Sequence, residues 1–206
     1  MKTTLRESTA ELHEALHTHP LLMDIRSDHL TVRSYRRIIE ALYGFHRPFE
    51  PELMAAAVRL GCAAEYDHEV RTNWLAEDLH SLGFSNEAIQ ALACFDHSFE
   101  IETIGQFAGC LYVIEGSTLG GASIVRSLAK HLNFNRSRAD RFFRGYGDHT
   151  IPRWRRVCQF IKTNGGPADR SSDTVDMAIQ VFAAVKTWMS EVWKRSIAAG
   201  TNQYTI

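Results

Sequence analysis

Apolar side chains recur along this sequence at intervals of three and four, the period of a helix with one buried face, and no run alternates apolar with polar as a half-buried strand would. Near the N-terminus Thr9, His13 and Leu16 share one helical face, with Leu5 and Leu12 beside them. Thr31 is placed to cap a helix carrying Tyr35, Ile38, Ile39, Leu42 and Phe45, and Pro48 with Pro51 predicts its end and the start of the next. A helix is expected from about residue 65 to 82, stopped by Gly83, and a short one opened by Ser85 and running through Cys94. A long helix is expected from near Glu100 to Leu132, bent at its glycines, then a short basic one near 137–144 leading into Gly145-Tyr146-Gly147. Pro152 starts another that ends at Gly165-Gly166. Asp173 begins the last, which carries Val181, Phe182, Val185, Trp188, Val192 and Trp193. The fold class this predicts is all-α: a bundle of eight or so helices in one domain spanning residues 1–206. The stretch 165–172 is the most linker-like, but the 34 residues beyond it are too few for a separate domain.

Composition narrows the partners. A net charge of −1 and 45% hydrophobic residues describe an ordinary globular chain, without the basic excess of a general nucleic-acid binder. Charge is expected to interrupt the apolar stretches before about 18 residues, and Met1 to Glu7 lacks a signal-peptide core, so no membrane span and a cytoplasmic location are expected. Cys62, Cys94, Cys110 and Cys158 are widely spaced without a Cys-x-x-Cys pair, which predicts free thiols in a reducing compartment.

The densest chemistry lies at Tyr112-Val-Ile-Glu-Gly116-Ser117-Thr-Leu-Gly120-Gly121. Each glycine in a helix interior costs roughly 0.5–1 kcal/mol against alanine, so three of them need a compensating reason. Loss of the side chains lets a large planar ligand approach the backbone. It equally permits a tight helix crossing through Gly116 and Gly120, or a helix end at Gly116.

His13-Glu14-Ala15-Leu16-His17 matches the two-histidine zinc pattern. A peptidase of that type needs a preceding sheet and a third ligand, and twelve residues leave no room for the sheet. His13 emerging from an apolar strip instead suits an axial ligand to heme iron, or a core histidine bonded to a neighbour, while His17, His19 and Glu14 turn toward solvent or another helix.

Thr9-x-x-x-His13, followed about a hundred residues later by the glycine-rich decapeptide, resembles the heme oxygenase family, particularly its bacterial, biliverdin-producing branch. The length and the order of helices fit as well, so the resemblance covers most of the chain. It implies heme b, both substrate and cofactor, held between a proximal N-terminal helix and a bent distal helix. It also implies cleavage with O₂ to biliverdin, carbon monoxide and ferrous iron. By the same resemblance His13 matches the iron ligand, Gly116, Ser117 and Gly120 the distal catalytic segment, and Arg6 a basic position facing the propionates. Thr9, Leu16, Tyr112, Gly121 and Phe182 are expected at the cofactor, with Trp188 a looser match to a pocket aromatic. Animal members carry a distal aspartate where this chain has Ser117, as bacterial members do.

Ser117 can hold a water or be satisfied by a carbonyl one turn back. Glu115 points about 100° away from Gly116, toward solvent or an ion pair. Arg153, Arg155, Arg156 and Lys162 offer either propionate ligands or a solvated face able to dock an acidic donor. The chain has neither a dinucleotide motif nor an iron–sulfur cysteine cluster, so electrons must come from a separate ferredoxin or flavoprotein reductase. A monomer or weak dimer is expected. A non-catalytic heme carrier or sensor on the same fold is the alternative.

Overall fold

Thr31 caps its helix as the period predicts: its side chain accepts from the Ser34 amide while the Ser34 hydroxyl accepts from the Thr31 amide. The computed structural model describes residues 2–65, 70–96, 98–132, 138–164 and 168–201, and every regular element among them is helical. These are α1 Lys2–His17, α2 Val32–Arg59, α3 Arg71–Ser81, α4 Asn86–Gln90, α5 Ile104–Ser117, α6 Gly121–His131, α7 Arg141–Arg144, α8 Thr150–Asn164 and α9 Ala168–Thr201. A 3₁₀ turn, Met23–Arg26, follows α1, and another, Thr118–Gly120, joins α5 to α6.

Helix α2 does not stop at its prolines; Pro48 and Pro51 lie inside it. Proline removes the amide that would bond the carbonyl four residues back. For Pro48 that carbonyl is Gly44, and the Phe95 amide donates to it at 2.9 Å, so a distant segment repairs the ladder. Gly83 ends α3 at φ +92°, as expected, but α3 begins only at Arg71, with a 3₁₀ turn over Ala63–Glu65 and residues 66–69 outside the described chain. Ser85 caps α4, which ends at Gln90 rather than Cys94. Helix α9 starts before Asp173, and the expected stop at Gly165-Gly166 lies outside the described residues.

Helix α5 is the centre of the bundle, packed against α8 and α9, with α1 laid on α9. Phe45, Phe49, Leu53, Phe107, Leu111, Ile114, Val181 and Met189 belong to the main core. Each such side chain contributes roughly 1.5–3 kcal/mol on burial. Gly109 sets the α5–α9 approach: a Cβ there would stand 2.5 Å from the Thr174 carbonyl oxygen. Tyr35, Ile39, Leu75, Leu79 and Leu128 form a second cluster among α2, α3 and α6. Taken together, Ile104–His131 is long and apolar enough to cross a membrane, contrary to the expectation that charge breaks every such stretch. Its residues Phe107, Ala108, Cys110, Leu111, Val113 and Ile114 lie in the core. All four cysteines are free; Cys62 and Cys110 are buried, Cys94 and Cys158 only half-buried.

Candidate functional site

The glycines of the decapeptide separate into two kinds. A Cβ on Gly121 would sit 2.1 Å from the Phe143 carbonyl oxygen, so this glycine exists because α6 crosses the backbone of α7. That is a packing role. A Cβ on Gly116 would meet only the Trp154 ring at 3.5 Å, an ordinary contact, and one on Gly120 would meet only the Arg26 guanidinium, at 3.1 Å. Neither approaches another helix's backbone. Neither Gly116 nor Gly120 is therefore explained by a tight crossing; α5 passes through Gly116 and gives way to the 3₁₀ turn only after Ser117.

Arg26 connects this segment to α1. Its Nη1 donates to His17 Nδ1 at 3.5 Å, and the His17 ring stands edge-on to His13 with centroids 4.5 Å apart. On its other side His13 meets the edge of Phe182 at 6.1 Å, with the ring planes perpendicular. The His13 side chain is exposed, and no hydrogen bond among the described residues engages it. Burial against the helix, then the neighbouring His17, holds its pKa below the usual imidazole value, so the ring is neutral with a nitrogen lone pair available near pH 7. Among the described residues no three His, Cys, Asp or Glu side chains converge as a metal cluster. His19 is turned away: its Nε2 lies 3.1 Å from Ser190 Oγ on α9, and its Nδ1 accepts from the Leu21 amide.

A match to the heme oxygenase family model covers residues 1–191. The chain belongs to the heme oxygenase family. The fold is also that of solved bacterial heme oxygenases. The Leptospira interrogans protein superposes with TM-score 0.73 at 21% identity, covering 92% of this chain and 98% of that one. Heme oxygenase-1 from Synechocystis, solved in complex with heme, gives TM-score 0.71 at 17% identity, covering 98% of each chain. The Neisseria meningitidis heme oxygenase, solved bound to NO and CO, gives 0.70 at 20% identity, covering 93% and 91%. No curated protein matches the sequence.

The residues present fit the family's group. An iron-bearing macrocycle needs a neutral nitrogen donor and backbone it can approach closely; the exposed His13 offers the first, and Gly116 and Gly120, with only the Trp154 ring and the Arg26 guanidinium against them, offer the second. Tyr112 and Trp154, with ring centroids 5.8 Å apart, are half-buried beside Gly116. Leu16 is half-buried against the core, and Arg6 is exposed on α1 two turns before His13. Thr9 is buried, its hydroxyl donating to the Leu5 carbonyl at 2.8 Å, so it serves the packing of α1 and has no donor left for a ligand. Trp188 is likewise core: its indole donates to the Ala41 carbonyl at 2.7 Å. The Ser117 hydroxyl donates to the Ile114 carbonyl at 2.7 Å, which occupies its hydrogen but leaves lone pairs to accept from water.

Glu115 is ion-paired but not solvated. At 2% exposure it meets the fully buried Arg71 at 2.9 Å, and the Tyr146 hydroxyl lies 3.4 Å from the same carboxylate oxygen. Burial pushes the Tyr146 phenol up to about 12. Arg153 stacks over Tyr146 at 4.2 Å and Arg156 reaches the Ala64 carbonyl, whereas Arg155 and Lys162 remain exposed. Two further carboxylates hold this layer together. Glu50 on α2 accepts from the Arg71 and Thr72 amides at the start of α3, and Asp78 on α3 accepts from the Arg141 and Phe142 amides at the start of α7. Neither Arg71 nor Arg26 was identifiable as a site residue from sequence, because each acts through a partner on another element.

Proposed function

We propose that this chain is a heme oxygenase that binds heme b through His13 and opens it, with O₂ and electrons from a separate donor protein, to biliverdin, carbon monoxide and ferrous iron. The observation that carries this reading is the neutral imidazole of His13, outside any hydrogen bond among the described residues and linked through His17 and Arg26 to the side-chain-free Gly120. When bound, heme supplies both the iron that activates O₂ and the macrocycle that is oxidised.

The protein's own residues then have defined tasks. His13 would hold the metal, and the perpendicular Phe182 edge with the His17 ring limits rotation of the imidazole. Gly116 and Gly120 let the distal backbone lie close to a bound diatomic molecule, where a side chain would exclude it. Ser117, its hydrogen fixed on Ile114, accepts from a water and orients that water's remaining proton toward the ligand. Arg6 draws a propionate to the mouth. The exposed cations Arg155 and Lys162 suit an acidic electron donor of ferredoxin or flavoprotein type, with the chain acting in the cytoplasm as a monomer or weak dimer.

Reconstitution with heme followed by addition of a reductant tests the reading. The Soret band is expected to disappear and a linear tetrapyrrole to form. Heme retained through many equivalents of reductant and O₂ would instead assign the chain to carriage or sensing.

A further inference from the structure

Between His17 of α1 and Gly120 stands a cation that neither the glycine motif nor His13 announces. Arg26 closes a 3₁₀ turn that is itself fixed: Ile25 is buried, the Ser27 hydroxyl donates to the Asp24 carbonyl, and Asp28 pairs with Lys130 and His131 of α6 at 3.1 and 3.3 Å. The backbone of the turn is thus held against α6 while the guanidinium stands exposed. That guanidinium touches both walls, with Nη1 on His17 Nδ1 and Nη2 3.1 Å from where a Gly120 Cβ would be. One wall carries the proposed axial ligand and the other the proposed distal backbone.

Along α1, Arg6 lies seven residues before His13, and His17, the contact of Arg26, four residues after it, so Arg6 stands about 10 Å to one side of the ligand position along the axis and the His17 contact of Arg26 about 6 Å to the other. Arginine presents five donors in a planar fork matched to carboxylate. The contact to His17 uses one of them at long range, and among the described residues the others make no hydrogen bond.

We infer that Arg26 is a specificity-determining residue that receives a carboxylate of the bound macrocycle on the His17 side of the cleft. It competes there with Arg6 for the propionates and so selects the in-plane orientation of the ring. This rests on the proposed heme binding. It adds that orientation, and hence which meso edge lies under the distal backbone, is set by an arginine outside both motif segments.

Heme and its dimethyl ester, in which both carboxylates are neutral, separate a carboxylate contact from general packing. Kd is measured for both ligands with the wild type, Arg26→Gln, Arg26→Lys and Arg6→Gln. The wild type is expected to prefer the free acid. Arg26→Gln should cut that preference by about fivefold, the scale of one exposed ion pair, with ester affinity unchanged and Arg26→Lys retaining most of it. The biliverdin isomer ratio should shift in Arg26→Gln and not in Arg26→Lys. If Arg26→Gln weakens heme and ester equally, or changes neither, the assignment is overturned while heme binding stands. If the wild type gives no histidine-ligated heme spectrum, the underlying reading fails instead. Because Arg26 is exposed on a turn held by other residues, loss of folding does not confuse the result.

Discussion

On α1 the side chains of the proposed site stand in solvent: His13, His17 and Arg6 are all exposed, and the helix is held by a strip of Leu5, Thr9, Leu12 and Leu16. On the α5 side the relation is inverted. There Gly116 and Gly120 present backbone to the Trp154 ring and the Arg26 guanidinium, and the charged groups are buried behind them, Glu115 on Arg71 and Asp78 and Glu50 on helix starts. On the proposed function, a metal-binding side chain must leave the core to reach its ligand. A wall that works by having no side chains must be fixed from behind, and a buried ion pair between α5 and α3 does this at the residue next to Gly116.

That contrast is broken most severely at Arg71. Arg71→Met leaves Glu115 buried without its main counter-ion and is expected to destabilise the fold by about 3–5 kcal/mol in chemical denaturation. His13→Ala, at an exposed position, should stay within about 0.5 kcal/mol of wild type. Equal losses in the two variants would remove the difference between the walls.

The glycines sharpen it further. Gly121→Ala should lose about 1–3 kcal/mol because its Cβ meets a backbone oxygen that cannot yield. Gly120→Leu should leave the helical circular dichroism and stability near wild type, since Arg26 alone stands in the way and is mobile at its tip, yet biliverdin yield should fall. Normal turnover in Gly120→Leu would mean that Gly120 does not line the ligand.

A smaller, pH-dependent effect comes from the buried layer. His46 on α2 is buried among Glu50 of its own helix, Arg71 of α3 and the Phe142 ring of α7, with Nδ1 3.8 Å from the Glu50 carboxylate. Burial, and secondarily Arg71, hold its pKa at about 3, below the ordinary 6.5. The unfolded chain therefore binds the proton first, and stability present above pH 6.5 is lost as pH falls toward 3. Asp78, raised by burial to about 6, acts in the opposite sense, its contribution growing as pH falls from 6 toward 3.8. His46→Gln should flatten the acid-side decline by about 2 kcal/mol between about pH 6.5 and 5, followed by thermal midpoint. An unchanged profile would show that His46 is already protonated in the fold.

What was legible in the sequence was local. The cap at Thr31, the stop at Gly83, the glycine-rich bend and the histidine on an apolar strip all declare themselves within a few residues. What was not legible depends on partners far along the chain. Pro48 sits within a continuous helix because Phe95 supplies the missing donor, Glu115 is buried because Arg71 meets it, and Gly121 packs because Phe143 crosses it. Thr9 and Trp188 share the helical period of pocket residues, but their polar atoms are engaged by the carbonyls of Leu5 and Ala41. Periodicity gives the face of a helix but not which neighbour occupies it.

The most direct test is heme titration of His13→Ala beside His17→Ala, followed by absorption and resonance Raman spectroscopy. His13→Ala is expected to lose the histidine-ligated spectrum and all turnover, with exogenous imidazole restoring the ligation. His17→Ala is expected to keep the ligated spectrum. A full histidine-ligated spectrum in His13→Ala, or its loss only in His17→Ala, would contradict the assignment of the proximal ligand.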